Sequence, residues 1–184
     1  RVPVEAPPRT AARGRARASW QLLRLPELRR LLIVNWLISA SWDSHSFVLP
    51  ILGHERGMSA SAIGAILGTF ALSVTAVRLV IPLLAHRLSE RQVLVGTMLC
   101  TAVVFAVYPF VGSAWGMGVC AMVLGLALGS VQPMVMSTLH QVTPADRHGE
   151  AIAFRSMAIN LSSTSMPLLF GMAGAAIGAG AVFW

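Results

Sequence analysis

From Leu28 onward, the chain alternates long apolar runs with short polar breaks. The runs are close to the length of about 20 residues that a helix needs to cross a hydrocarbon layer of about 30 Å. Five are bounded on both sides: residues 31–52, 60–84, 93–111, 117–139 and 150–170. A sixth begins at Ala173 and is cut at Trp184. The breaks read Gly53-His54-Glu55-Arg56-Gly57, then Ala85 to Arg91, then Gly112-Ser113-Ala114-Trp115-Gly116, then His140 to His148. In lipid every backbone polar group must find its partner within the chain, which leaves helices for runs of this length. The pattern predicts an all-α membrane protein, a six-transmembrane-helix bundle with its last helix truncated, over residues 28–184. Residues 1–27 differ, with Pro3, Pro7, Pro8 and Pro26 among six arginines. They predict a flexible linker, or, around Trp20, Leu22, Leu23 and Leu25, a short helix lying on the bilayer surface. The chain opens at Arg1 and stops inside an apolar run, so a fragment is expected.

Composition agrees with the pattern. Hydrophobic residues make up 55% and charged residues 11%, against about 25% charged in a soluble domain. All fourteen basic residues are arginine, and thirteen lie in or beside the linker, the second break and the fourth break. Only Arg56 falls in the first break, and the third has none. The positive-inside bias then places the linker and the second and fourth loops in the cytoplasm. A net charge of +7 is compatible with nucleic acid, but these arginines flank apolar runs and do not interleave with aromatics, so nucleic acid is set aside as a partner. Between Arg91 and Asp146 there is no charged residue, which suits two spans joined by a tight hairpin. Cys100 and Cys120 sit inside apolar runs without metal-ligand spacing and read as packing residues. Gly64/Gly68, Gly125/Gly129 and Gly174/Gly178 repeat at four-residue spacing, a pattern that lets helices approach closely. Thr143-Pro144-Ala145-Asp146 reads as a helix start, with Thr143 as the cap. Pro50, Pro82, Pro133 and Pro167 are positions at which spans bend.

Asp43 is the most informative residue, because it falls near the middle of the first span. A carboxylate there costs a few kcal/mol on insertion scales and needs a polar cavity or a partner. Asn35, Ser39 and Ser46 lie on its side of the helix, whereas His45 lies on another face. The stripe reads either as a cavity lining with a protonatable carboxylate or as a polar helix–helix contact. Arg155 lies five residues past Glu150 and is a second candidate for a charge in the cavity. Arg78 is expected to snorkel to the nearer interface. Gln132, Asn160, Ser162, Ser163 and Thr164 are further polar lining or packing candidates. No nucleophile elbow, zinc-protease helix or phosphate-binding glycine loop is present, so no catalytic residue, metal site or cofactor is expected. His140 and His148 flank a loop without cysteines and do not form a metal motif.

The second loop, Pro82-Leu83-Leu84-Ala85-His86-Arg87-Leu88-Ser89-Glu90-Arg91, resembles the G-x-L-a-D-R-x-G-R-R signature of the major facilitator superfamily at Leu84, Ala85, Arg87 and Arg91. It departs from it at Pro82, His86, Ser89 and Glu90. Thr143 to Ala151 resembles the T-P-x-x-R-x-G-E-A segment before the eleventh span of that family, with Arg147 and Glu150 in place. Gly53 to Gly64 looks like its outer loop leading into the eighth span. The resemblance covers residues 28–184 and implies the C-terminal six-helix half of a twelve-span transporter. It implies secondary transport of a small solute by alternating access, often proton-coupled, in a bacterial inner membrane. Asp43 then sits on a cavity-lining helix. The implied partners are the solute, the bilayer and the missing N-terminal six-helix half. The competing readings are a six-span membrane enzyme and a non-transporting assembly subunit.

Overall fold

The computed structural model describes residues 20–84 and 89–177. Five long helices carry the chain: α1 (Pro26–Glu55), α2 (Ala60–Leu84), α3 (Glu90–Val107), α4 (Ala114–Val142) and α5 (His148–Ile177). α3 ends in a tight 3₁₀ turn, Tyr108–Phe110, and a second such turn, Ala145–Arg147, precedes α5. Successive helices run in opposite directions. The start of α1, the α2–α3 connection and the α4–α5 connection therefore share one end, the arginine-rich end. The α1–α2 and α3–α4 loops share the other.

α1 starts at Pro26, in the first turn, where a missing N–H costs nothing. It extends past the expected span at both ends, so Glu27, Arg29, Arg30, His54 and Glu55 occupy its terminal turns. Gly57, with a φ of +70°, reverses the chain after it; only glycine enters that region without strain. Ser89 caps α3 by accepting from the Gln92 N–H (3.3 Å), and Ser113 caps α4 by accepting from Gly116 (3.1 Å).

Three local expectations change. Thr143 does not cap α5; it ends α4 in an extended conformation, and its buried hydroxyl has no partner. The helix start is displaced to His148, whose Nε2 lies 2.9 Å from the Thr143 carbonyl oxygen and 3.1 Å from that of His140. The break expected between residues 170 and 173 is absent, and α5 runs unbroken through Pro167 and Gly171 to Ile177. Gly171-Met172 offers no polar or turn-forming side chain to take over the backbone hydrogen bonds that a break would free. Residues 20–25 pack onto the bundle: Leu22 is buried and the Trp20 ring meets Phe154 edge-on at 5.5 Å.

Packing follows two main pairings, α2 with α4 and α1 with α5, while α3 covers α4 and α1 also reaches α4. The glycine pairs sort themselves accordingly. A Cβ on Gly125 would lie 2.6 Å from the Phe70 carbonyl oxygen, and one on Gly129 would lie 2.9 Å from the Val74 Cα. α4 can approach α2 this closely only without those side chains. Gly64 and Gly68 face open space, and Gly178 lies outside the described residues. α1 contributes Leu28, Leu31, Ile38, Leu49 and Leu52 to the core, at the three- and four-residue spacing of one helix face. Large apolar side chains such as Leu72, Leu79, Leu99 and Leu168 stand exposed on the outside. Residues 60–81, 90–110 and 114–142 are long and apolar enough to cross a membrane by length and composition. α1 and α5 are interrupted by polar residues, and those residues form the site.

Candidate functional site

Asp43 lies halfway along α1, beside the buried face and turned toward α5. Its carboxylate accepts from the Ser162 hydroxyl at 2.7 Å and the Ser163 hydroxyl at 3.2 Å. Ser162 is fully buried in the contact and Ser163 is exposed. No arginine among the described residues comes within ion-pairing distance of this carboxylate. Two neutral donors are what hold it.

A second cluster lies about two turns closer to the arginine-rich end. Arg155, on α5, donates through Nε to Asn35 Oδ1 of α1 at 3.3 Å and through Nη2 to Gln132 Oε1 of α4. Three helices thus meet on one guanidinium. Asn35 is buried to 2% exposure, and its Nδ2 has no partner. Ser39 and Asn160 do not join either group. The Ser39 hydroxyl turns back to the Asn35 carbonyl oxygen at 2.9 Å, as serines in helices commonly do. Asn160 is exposed. His45 occupies the opposite side of α1, fully buried against Phe70 (4.5 Å) and Tyr108 (5.8 Å), with both ring nitrogens unpartnered.

Arg78 does not snorkel to the arginine-rich end. Its guanidinium carbon sits 5.9 Å from the centre of the Trp42 ring, which packs edge-on against Phe70 at 4.8 Å. Helical side chains lean toward their own N-terminus. α2 runs opposite to α1, so Arg78 leans inward while Trp42 leans to meet it. The antiparallel order of the spans already contained that signal.

The motif residues divide. Arg87 lies outside the described residues. Arg91 is exposed. Glu90, where the family signature has arginine, accepts from the Ser137 hydroxyl, the Thr138 hydroxyl (2.9 Å) and the Gln141 amide (2.9 Å), fastening α3 to α4. Arg147 and Glu150 pair at 2.7 Å within the α4–α5 connection. At the opposite end Arg56, a residue that sequence reasoning passed over, donates to the carbonyl oxygens of Pro109 and Val111 and approaches Met117 Sδ at 3.7 Å. Among the described residues no three His, Cys, Asp or Glu side chains gather as a metal site would require.

A bundle of long apolar helices, with carboxylate, guanidinium and amide groups set at mid-depth, defines an integral membrane protein with an internal polar face. The family model of the Major Facilitator Superfamily matches residues 31–184, and the chain belongs to that superfamily. Membership in that superfamily supports a membrane transporter. No curated protein and no solved structure matches the chain.

Proposed function

We propose that this chain forms the C-terminal half of a secondary active transporter that moves a small solute by alternating access, coupled to protons through Asp43. The observation that carries the reading is the mid-helix carboxylate held by two serine hydroxyls and by no cation among the described residues. Hydrogen bonds to a charged group contribute about 1.5–3 kcal/mol each, comparable to the insertion cost of the charge. The carboxylate is therefore supported but not neutralised, which suits a group that takes up and releases a proton. Arg155, Asn35 and Gln132 supply a second polar group on the same face, where the solute binds. In this reading the polar face of α1 and α5 meets an N-terminal six-helix half across the central cavity. The arginine-rich end and residues 1–27 are cytoplasmic, and the membrane is a bacterial inner membrane.

The test is transport by the complete protein in liposomes. Asp43→Asn keeps the shape and removes the charge, and is expected to abolish the dependence of transport on a proton gradient. Unchanged transport with unchanged proton dependence would remove Asp43 from the mechanism.

A further inference from the structure

The charges at mid-depth do not balance. Away from the helix ends the described spans hold Asp43, Arg78 and Arg155: one carboxylate against two guanidiniums, with no ion pair among them. The partners of Arg155 are carboxamide oxygens, which orient a guanidinium without neutralising it. Arg78 rests on the face of Trp42, which is attracted to a cation and equally leaves its charge in place.

Hydrogen-bonding capacity is unbalanced in the same direction. A guanidinium has five N–H donors, and two bonds from Arg155 are made here. The Asn35 oxygen is occupied by Arg155, which fixes the orientation of the amide, and its buried Nδ2 lacks an acceptor. The Gln132 oxygen is likewise taken, so its amide N–H groups remain as donors. Where α1, α4 and α5 meet, donors therefore exceed acceptors and positive charge exceeds negative. A buried donor left unmatched costs about 1–3 kcal/mol, and a ligand rich in acceptors removes that cost.

We propose that the transported solute is a small organic anion whose carboxylate is taken by Arg155 with the Asn35 and Gln132 amides, Arg78 supplying the second positive charge. This rests on the transport reading above and names its substrate class. The planar fork of arginine matches a carboxylate through two parallel hydrogen bonds. A cationic solute would meet two like charges, and a neutral one would leave the donors' charge uncompensated.

The experiment is thermal unfolding and equilibrium binding of the complete purified protein with three carboxylate probes, benzoate, lactate and succinate. Each is matched by its amine and alcohol counterparts. At least one carboxylate is expected to raise the melting temperature, and the amines and alcohols are not. Arg155→Gln should weaken carboxylate binding by about tenfold or more, with partial recovery in Arg155→Lys. Arg78→Gln, at an exposed position, gives a smaller loss and serves if Arg155→Gln does not fold. Arg29→Gln makes the same charge change at the helix end and leaves binding unaltered. Asp43→Asn removes the negative charge about 12 Å along α1 from Asn35, the partner of Arg155, and tightens carboxylate binding by up to about tenfold. Stabilisation by amines or alcohols, by none of the carboxylates, or by carboxylates equally in Arg155→Gln and Arg78→Gln overturns the assignment. Arginine-dependent carboxylate binding alongside intact proton coupling in Asp43→Asn defeats the coupling reading and leaves this one standing. The reverse pattern defeats this one alone.

Discussion

A serine hydroxyl both donates and accepts, so Ser162 and Ser163 can hold Asp43 in either protonation state. They donate to the carboxylate and, after a rotation, accept from the acid. The α1–α5 contact then survives the proton's arrival. Ser162 is the stronger partner, buried and at 2.7 Å, against 3.2 Å for exposed Ser163. Ser162→Ala should therefore weaken the α1–α5 contact by about 1.5–3 kcal/mol, and Ser163→Ala by less; melting temperatures of the two variants check both. Asp43, Arg155, Asn35 and Gln132 were legible as candidates because polar groups within apolar runs are costly and conspicuous. Their pairing was not legible. Helical period places Asn35, Ser39 and Asp43 on one side, but the partner helix decides that Asn35 serves Arg155 and Ser39 serves its own backbone.

At the scale of the helix, the contact of α2 with α4 rests on backbone approaching backbone. Gly129→Leu would drive a side chain into Val74 and should cost at least the 1–3 kcal/mol typical of overpacking, read as a fall in melting temperature. Gly64→Ala meets open space and should leave it unchanged. Both glycines stand in the same four-residue motif, and the sequence contains nothing that separates them. The separation comes from which face α2 presents to α4. Helix ends were harder still. Thr143-Pro144 has the residues of a cap, yet His148 satisfies the carbonyl oxygens of that turn and the next helix waits for it. Gly171 has the residue of a stop, yet α5 continues because nothing nearby would accept its backbone groups. The long apolar helices were readable because their period and length leave few alternatives.

Across the whole molecule, the other described arginines belong to one end or lean inward from it, and Arg56 stands alone among them at the other. Topological bias and packing act on it with opposite sign. Its charge runs against the arginine bias of the other loops, while its bonds to Pro109 and Val111 join the α1–α2 loop to the α3–α4 hairpin. Arg56→Gln should therefore lower thermal stability, by about 1.5–3 kcal/mol for each charged hydrogen bond lost, while leaving orientation in the membrane unchanged. Melting temperature and cysteine-labelling topology measure the two separately. The arginine asymmetry made the membrane class and the loop order legible from the residues alone. Long-range ties such as this one were not, because a lone arginine beside glycines carries no mark of the carbonyls it will meet.

The Pro109 and Val111 acceptors lie 53 and 55 residues downstream of Arg56. A ribosome adding about 5–20 residues per second makes them about 3–11 s after the arginine. During synthesis the first two helices thus wait with this guanidinium solvated and unengaged. This rim of the bundle closes only when the α3–α4 hairpin arrives.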